Sequence, residues 1–147
     1  MRILIQRVKS SRLEVDGVVI NETGKGLNVF VGVTKDDTAE NMKKIAKRIA
    51  TIRLFSDEND KLNYNVNEVG GEVLLVSNFT LCDKKGVSGA RPDFTLGADK
   101  VKANEYYLSL KEELETVYGV KVKLGVFGAD MQIYSHLDGP INITQEY

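Results

Sequence analysis

The chain has 147 residues, and its content of 42% hydrophobic and 28% charged residues is typical of one soluble globular domain. The net charge of −1 argues against a broad electrostatic grip on nucleic acid, although it permits a local basic patch. A single cysteine, Cys82, excludes an internal disulfide and suits a reducing compartment, and no segment has the pattern of a membrane span or signal peptide. We therefore expect one cytoplasmic domain over residues 1–147, without a membrane partner.

The first third of the chain is predicted to be rich in β-structure. Residues 3–8 form a dense apolar run that indicates a strand. The stretches 13–15 and 18–20 flank Asp16 and Gly17, and Asp-Gly is a dipeptide that fits a two-residue hairpin turn. Residues 27–33 predict another buried strand.

A first helix is predicted next, with Asp37 or Thr38 as its N-cap. Five apolar residues follow at helical spacing, namely Met42, Ile45, Ala46, Ile49 and Ala50. Residues 53–55 are consistent with a short strand, and residues 56–60 predict a polar turn.

The stretch 70–81 is the centre of the sequence. A Gly-Gly turn leads into four consecutive apolar residues, 73–76, which is the pattern of a strand buried on both faces. The strand continues into Ser77, Asn78, Phe79 and Thr80, and rigidly held polar groups at a strand end are suited to a site. The alternative is that Ser77 and Thr80 only satisfy nearby backbone groups, and chemistry alone favours this alternative.

Residues 82–97 contain three glycines and Pro92 without clear periodicity, which predicts a long loop that is either mobile or functional. A second helix follows, and Gly119 is expected to stop it. Its apolar face is predicted to consist of Ala103, Tyr106, Tyr107, Leu110, Leu114, Val117 and Tyr118.

Three period-two stretches close the chain and predict three strands near residues 120–124, 131–136 and 141–145. The breaks between them contain Gly125, Gly128 and the triplet Asp138-Gly139-Pro140. Two helices against many strands predict an α+β fold, in which a curved, barrel-like, mostly antiparallel sheet packs with two main helices.

Conventional catalytic groups are scarce in this sequence. His136 is the only histidine, and no carboxylate cluster has metal-ligand spacing, so we expect neither a metal nor a cofactor. Cys82 and His136 provide the one conventional pairing of a nucleophile with a base, although nothing local marks the thiol as activated. Candidate cations for a local basic patch are Lys84, Lys85, Arg91, Lys100 and Lys102, for which a solvated surface is the alternative.

Several short motifs together resemble the D-aminoacyl-tRNA deacylases, also called D-tyrosyl-tRNA deacylases. Ser77-Asn78-Phe79-Thr80-Leu81 is similar to the Ser-Gln-Phe-Thr-Leu signature of that family. Further matches occur in the family's order and span almost the whole chain; they lie at residues 6–8, 53–57, 61–63, 91–94, 127–131 and 138–140.

The resemblance implies hydrolysis of the ester that joins a D-amino acid to the terminal ribose of tRNA, by a homodimer with a similar fold. Such an ester is already activated, so backbone N–H groups that stabilise an oxyanion would suffice. We place these donors at Phe79 and Thr80, directly after Ser77. No base adjoins the Thr80 hydroxyl in sequence, so we expect this residue to shape the site and not to act as a covalent nucleophile.

The resemblance also implies how chirality is recognised. In the family a Gly–cis-Pro pair enters the partner subunit's site and blocks the side chain of an L-amino acid, and Gly139-Pro140 matches that pair; the alternative is a plain turn. Met131 is our candidate for packing against this tip, with a core role as the alternative. Arg91 is expected either to clamp a substrate phosphate or carboxylate or to anchor the loop through an ion pair.

The sequence departs from the family pattern in two places. Asn78 stands where the family usually has Gln, so an amide contact to substrate is lost or remade. Leu137 and Asn142 replace an Asn and a Thr that flank the Gly-Pro pair, which removes two polar groups that brace it. The sequence therefore leaves open two alternatives to a deacylase, which are a non-catalytic module that binds tRNA ends and a Cys/His hydrolase of an unrelated small substrate.

Overall fold

The computed structural model describes residues 1–84 and 89–147. The strands are β1 (Arg2–Val15), β2 (Val18–Thr23), β3 (Gly26–Gly32), β4 (Phe55–Ser56), β5 (Leu62–Tyr64), β6 (Glu72–Ser77), β7 (Lys121–Leu124) and β8 (Met131–Glu146). The helices are α1 (Ala39–Thr51), a 3₁₀ helix (Phe79–Cys82) and α2 (Lys100–Thr116). Neither α-helix among these residues is long and apolar enough to cross a membrane.

One mixed sheet organises the fold, with the strand order β2-β1-β3-β6-β7 and with β8 paired to β1. β1 pairs antiparallel with β2, β3 and β8, whereas β6 runs parallel to both β3 and β7. The two outer strands approach each other, because Asn21 Nδ2 donates to Leu124 O at 2.7 Å and Lys123 Nζ donates to Glu22 O at 2.6 Å. The sheet is therefore a nearly closed barrel, which confirms the predicted α+β class.

The two parallel pairings explain where the helices lie. Parallel strands need a long crossover connection, usually a helix, and α1 lies between β3 and β6 while α2 lies between β6 and β7. The predicted apolar residues of α1 are all buried, and its N-cap is Thr38, whose hydroxyl accepts from Asn41 N–H. The other N-cap candidate, Asp37, is buried and instead binds the Met1 amino group and the Thr34 N–H.

The apolar face of α2 was predicted correctly at its centre and wrongly at its end. The buried residues of α2 are Tyr107, Leu110 and Leu114. Val117 is 59% exposed because the helix ends at Thr116 and Val117 is its C-cap. Gly119 follows with φ of +65°, which is the left-handed conformation expected after a helix C-terminus.

β1 is a single strand, although the sequence predicted separate segments at 3–8 and 13–15. The hairpin turn at Asp16 and Gly17 is confirmed, with φ of +51° and +76°. The strand remains continuous because β8 pairs along most of its length on one edge, while β3 and β2 pair with successive halves of the other.

β8 is also one strand, so the prediction of two separate strands after residue 130 is wrong. Gln6 pairs with Asn142 and Val8 pairs with Leu137, so residues 138–141 of β8 stand opposite the single residue Arg7. The Asp138-Gly139-Pro140 triplet therefore forms a bulge inside a strand instead of a break between strands, and both flanking stretches keep their pairing with β1.

Gly26 marks the tightest approach between parallel strands, since a Cβ there would lie 1.9 Å from Glu72 O and 2.7 Å from Glu72 N. We expect Gly26→Ala to destabilise the fold by about 3 kcal/mol, because two backbones must separate. Thermal unfolding should then occur roughly 6–12 °C lower. Gly24→Ala is the control, since no atom lies within 4 Å of its added Cβ. Equal melting temperatures for the two variants would contradict this account.

Candidate active site

A cavity of about 770 Å³ opens at the carboxyl end of β6, beside the N-terminal end of α2. Its volume is within the range of sites that bind small molecules. Most of the lining is apolar and includes Phe30, Val31, Val76, Phe94, Phe127 and Ile133. Among the described residues, Lys100 and Asp130 are the charged members of the lining, and their opposite charges give this part of the cavity little net charge.

Five of the predicted site residues line this cavity, namely Ser77, Asn78, Phe79, Thr80 and Met131. The first four arrive together because β6 ends at Ser77 and the chain turns at once into the 3₁₀ helix. Asn78 N–H still donates to Val31 O of the neighbouring strand segment, at 2.8 Å. The wall of the cavity is thus a continuation of a strand whose four central residues are buried.

The Asn78 side chain caps the 3₁₀ helix that follows it. Its Oδ1 accepts from Thr80 N–H at 3.2 Å and lies 2.5 Å from Thr80 Oγ1. We expected the Thr80 N–H to be an oxyanion donor, but this structure gives it to the side chain two residues earlier. The reason is local, because an Asn side chain readily bonds the backbone two residues ahead of it.

The Phe79 N–H is in a different situation. It is the first amide of the 3₁₀ helix, a position whose N–H has no partner within the helix, and no acceptor bonds it among the residues described. The Phe79 ring makes an edge-to-face contact with Phe94, with centroids 5.1 Å apart, and it remains 64% exposed. One amide at the cavity wall is thus available to a ligand.

Two side chains, the partly buried Arg2 and the buried Tyr107, fix the two ends of this wall. Arg2 Nη1 donates to Leu81 O at 3.1 Å and to Asp83 O at 2.5 Å, which holds the end of the 3₁₀ helix. Tyr107 O–H donates to Leu75 O at 2.6 Å and fastens α2 to β6, and burial raises the pKa of this phenol. The Phe79 amide therefore stands on a rigid support.

Met131 lies between the cavity and the core, and its packing against the tip stays a prediction. It lines the cavity, and it also packs on a small core cluster of Leu13, Leu74 and Val76. Its sulfur lies 2.8 Å from the position that a Cβ on Gly125 would occupy, so this glycine makes room for it.

Gly139 and Pro140 do not line the cavity of their own chain. The bond between them is cis, as expected. Arg7 holds the bulge from below, because Nε lies 3.2 Å from Asp138 O and 3.3 Å from Asp138 Oδ2, while Nη1 donates to Leu54 O at 2.7 Å. The tip is anchored at its base, and Gly139 and Pro140 themselves are exposed.

The predicted basic patch is only partly assembled at the cavity. Arg91 and Lys84 are exposed and outside the lining, and Lys85 lies outside the described residues. The Lys102 ammonium donates to Lys35 O at 2.5 Å and lies 5.4 Å from the centre of the Tyr106 ring. Lys100 is the member of the set that lines the cavity.

The structure does not bring Cys82 and His136 together. Cys82 is fully buried and its Sγ donates to Val33 O, while burial raises the pKa of the thiol. His136 pairs with Ser10, whereas Cys82 contacts Gly32, which pairs with Arg2; the two points are roughly 26 Å apart along β1 at about 3.3 Å per residue. Within residues 1–84 and 89–147, no three His, Cys, Asp or Glu side chains are grouped as a metal site would require.

Cys82→Ser should therefore leave the catalytic rate within about twofold of wild type, because an inert buried thiol takes no part in the chemistry. Stability is expected to fall slightly, since a hydroxyl is more polar than a thiol in an apolar setting. The measurement is kcat at neutral pH beside a thermal melt. Loss of activity in a variant that still folds would reinstate the cysteine as a nucleophile.

The sequence model of a family described as D-Tyr-tRNA(Tyr) deacylase matches residues 4–146. The chain belongs to this family. A D-aminoacyl-tRNA deacylase from Clostridium botulinum (strain Langeland / NCTC 10281 / Type F) is 43% identical over 150 residues, covering 97% of this chain and 95% of the relative. A D-aminoacyl-tRNA deacylase from Sulfurihydrogenibium sp. (strain YO3AOP1) is 42% identical over 138 residues, covering 94% and 92%.

Two solved structures share the fold of this chain. A protein described as c-Myc DNA Unwinding Element Binding Protein superimposes with a TM-score of 0.94 at 34% identity, covering 100% of this chain and 99% of that one. A structure described as a probable eukaryotic D-amino acid tRNA deacylase gives a TM-score of 0.84 at 16% identity, with 98% and 97% covered. The second likeness supports the shared fold alone.

Some residues of the cavity were missed at the sequence level, although the deacylase motifs contained them. Phe94 lines the cavity and Arg91 does not, so the aromatic member of the segment 91–94 is the one in the site. Phe127 and Asp130, in the segment 127–131, line it as well. Arg7, in the segment 6–8, supports the bulge. The motifs marked the right segments, but they do not say which way each side chain faces.

Proposed function

We propose that this protein is a D-aminoacyl-tRNA deacylase, which hydrolyses the ester between a D-amino acid and the terminal ribose of tRNA. Membership of the deacylase family supports this activity. The observation that carries the mechanism is the Phe79 N–H, which lies at the wall of a largely apolar cavity and has no acceptor among the described residues.

The proposed chemistry needs only water and this amide. Water attacks the ester carbonyl carbon, and the carbonyl oxygen becomes an oxyanion to which the Phe79 N–H donates. The C–O bond to the ribose then breaks, one proton of the attacking water passes to the ribose oxygen and the other passes to solvent, and the amino acid leaves as a carboxylate. A donor that is fixed in place before the reaction stabilises the oxyanion without reorganisation. Ser77 and Thr80 shape the cavity on either side.

The proposed substrate complex uses the two kinds of surface in the cavity. The apolar walls suit an amino acid side chain and the adenine face at the tRNA end, whereas Lys100 at the N-terminal end of α2 offers a cation for a phosphate. A single local cation is consistent with a protein of net charge −1 that contacts only the end of tRNA. Arg91 is exposed and precedes Lys100 in the sequence. We propose that it adds a second contact to the tRNA backbone.

We propose that selection against L-substrates comes from Gly139 and Pro140 of a partner subunit in a homodimer. The tip is exposed and lies outside the cavity of its own chain, while Phe79 is 64% exposed at the cavity mouth. Two strands that flank β1 carry exposed apolar residues, Val18 and Val19 of β2 and Tyr134 and Leu137 of β8, and we propose these as the surface for the partner. A symmetric dimer places each tip at its neighbour's cavity.

The experiment incubates the protein with D-tyrosyl-tRNA and L-tyrosyl-tRNA and follows release of tyrosine. Release of D-tyrosine alone is the expected result in a cytosolic enzyme of this kind. Binding of the charged tRNA without release would indicate a non-catalytic module that binds tRNA ends. Sedimentation should give twice the chain mass of 16.3 kDa, and a monomer that remains selective would refute the dimer.

A further inference from the structure

The Asn78 amide and Thr80 form a hydrogen-bond arrangement whose direction can be deduced from chemistry alone. A backbone N–H only donates, so the Asn78 atom that faces Thr80 N–H at 3.2 Å must be the carbonyl oxygen. A carbonyl oxygen only accepts, and the Thr80 hydroxyl lies 2.5 Å from the same atom. The hydroxyl must therefore donate its single proton to Asn78.

This direction determines what the Thr80 hydroxyl offers to the cavity. With its proton committed to Asn78, the oxygen retains only lone pairs and can only accept. An amide oxygen is too weak a base to remove the proton, so Asn78 does not activate Thr80 as a nucleophile. The Thr80 amide is also occupied, which leaves Phe79 N–H as the uncommitted backbone donor of this turn.

We propose that Asn78 is a positioning residue that holds the Thr80 hydroxyl as a fixed acceptor for a hydrogen-bond donor of the substrate next to the ester. This inference rests on the proposed deacylase function. The substrate carries two such donors beside the ester, namely the α-ammonium group and the neighbouring ribose hydroxyl. The shorter Asn at this position makes the arrangement possible, because its oxygen reaches the amide two residues ahead.

The first test does not depend on activity. Hydrogen exchange of the Thr80 amide, measured by NMR on the ¹⁵N-labelled protein, should accelerate about tenfold in Asn78→Leu, which keeps the side-chain shape but removes the acceptor. Asn104→Leu, at a half-buried position on α2 outside the cavity, is the matched control. If the wild-type Thr80 amide exchanges as fast as that of Phe79, the cap does not exist in solution and the proposal is wrong.

The second test is a double-mutant cycle on kcat/KM with D-tyrosyl-tRNA. Asn78→Leu and Thr80→Val should each lower kcat/KM about tenfold, and the double variant should be no more than about twofold below the worse single variant. Asn78→Leu leaves the Thr80 hydroxyl without its fixed orientation, and Thr80→Val removes that hydroxyl. Both variants therefore lose the same fixed acceptor. Asn78→Ser, whose hydroxyl can also accept the Thr80 N–H, should recover part of the loss. Fold-changes that multiply in the double variant would show that Asn78 does not act through Thr80.

The third test identifies the substrate donor with non-hydrolysable D-tyrosyl-adenosine amides, one complete, one without the 2′-hydroxyl and one without the α-amine. Thr80→Val should weaken binding of the complete analogue about tenfold and should leave one of the truncated analogues unaffected. Equal weakening of all three would overturn the acceptor role. Wild-type protein that binds the analogues but releases no tyrosine from D-tyrosyl-tRNA would refute the deacylase function alone. The hydrogen exchange of the Thr80 amide and the binding of the analogues would still test the role of Asn78.

Discussion

Phe79→Pro should lower kcat on D-tyrosyl-tRNA about a hundred- to a thousand-fold, which is the loss seen when an enzyme is deprived of one oxyanion donor. Proline removes the backbone N–H and nothing else from the main chain. The position tolerates it, because the first residue of a helical turn has φ near that of proline and needs no N–H partner. Asn78, which precedes it, is already extended at φ −143° and ψ 94°, outside the α region that a following proline disfavours.

The control for this prediction is Phe79→Ala. It loses the same ring and the same contact with Phe94 but keeps the N–H, so its rate should fall by less than about tenfold. The ratio of the two variants isolates the amide. Equal rates for the proline and alanine variants, with both folded and binding substrate equally, would show that the Phe79 N–H does not stabilise the oxyanion.

Gly139→Ala should reduce the discrimination between D- and L-tyrosyl-tRNA at least about tenfold, which corresponds to about 1.4 kcal/mol. Gly139 has φ of +123°, and an added Cβ would lie 3.1 Å from Ile141 Cγ1, 3.2 Å from Ile141 N and 3.3 Å from Arg7 Nη2. The bulge must shift to accommodate the added methyl group. Gly139 and Pro140 are then displaced and no longer exclude the L-substrate. The measurement is kcat/KM for both substrates.

Gly17→Ala is the control for Gly139→Ala. Gly17 also has positive φ, at +76°, but no atom lies within 4 Å of its added Cβ and it belongs to the distant hairpin turn. It should lower stability and leave the ratio of D to L unchanged. If Gly139→Ala also lowers only stability, the tip does not read configuration.

Combining the two active-site variants tests whether the tip acts across subunits. In a mixed dimer of Phe79→Pro and Gly139→Ala chains, one site receives an intact cavity wall from one chain and an intact tip from the other. Co-expression should therefore restore D-selective activity that neither variant shows alone. A mixture that behaves as the average of the two homodimers would place the tip and the wall of each working site in the same chain.

The fold could be predicted to a large extent because its patterns are strong and local. The helical spacing of residues 42–50 and the Asp16-Gly17 turn each specify one structure. The continuity of β1 and β8 could not be predicted, since it depends on pairing between residues that lie far apart in sequence, from Val15 with Met131 to Arg2 with Glu146. A local break signal such as Gly139-Pro140 looks the same whether the strand ends or bulges.

The site was predictable as a segment and not as a set of bonds. Ser77 to Thr80 line the cavity as expected, because they continue a strand whose burial is evident from 73–76. Asn78 is one methylene shorter than the Gln that the family usually has, and its shorter side chain accepts from the Thr80 N–H. Hydrophobic periodicity gives no sign of such a bond. The roles of Arg7 and Phe94 likewise depend on where each side chain points, which only the folded structure defines.

The bulge in β8 explains how this chain accommodates its two departures from the usual family pattern. Its two ends are closed by the pairs Gln6–Asn142 and Val8–Leu137, and Gln6 Nε2 donates to Asn142 Oδ1 at 3.0 Å. Asn142 and Leu137 are the two positions where this chain departs from the usual family pattern around Gly139-Pro140. The Gln6–Asn142 pair supplies a polar brace of its own. Gln6 belongs to the segment 6–8 that matches the family pattern, so the residue already usual at position 6 braces the Asn that this chain carries at position 142.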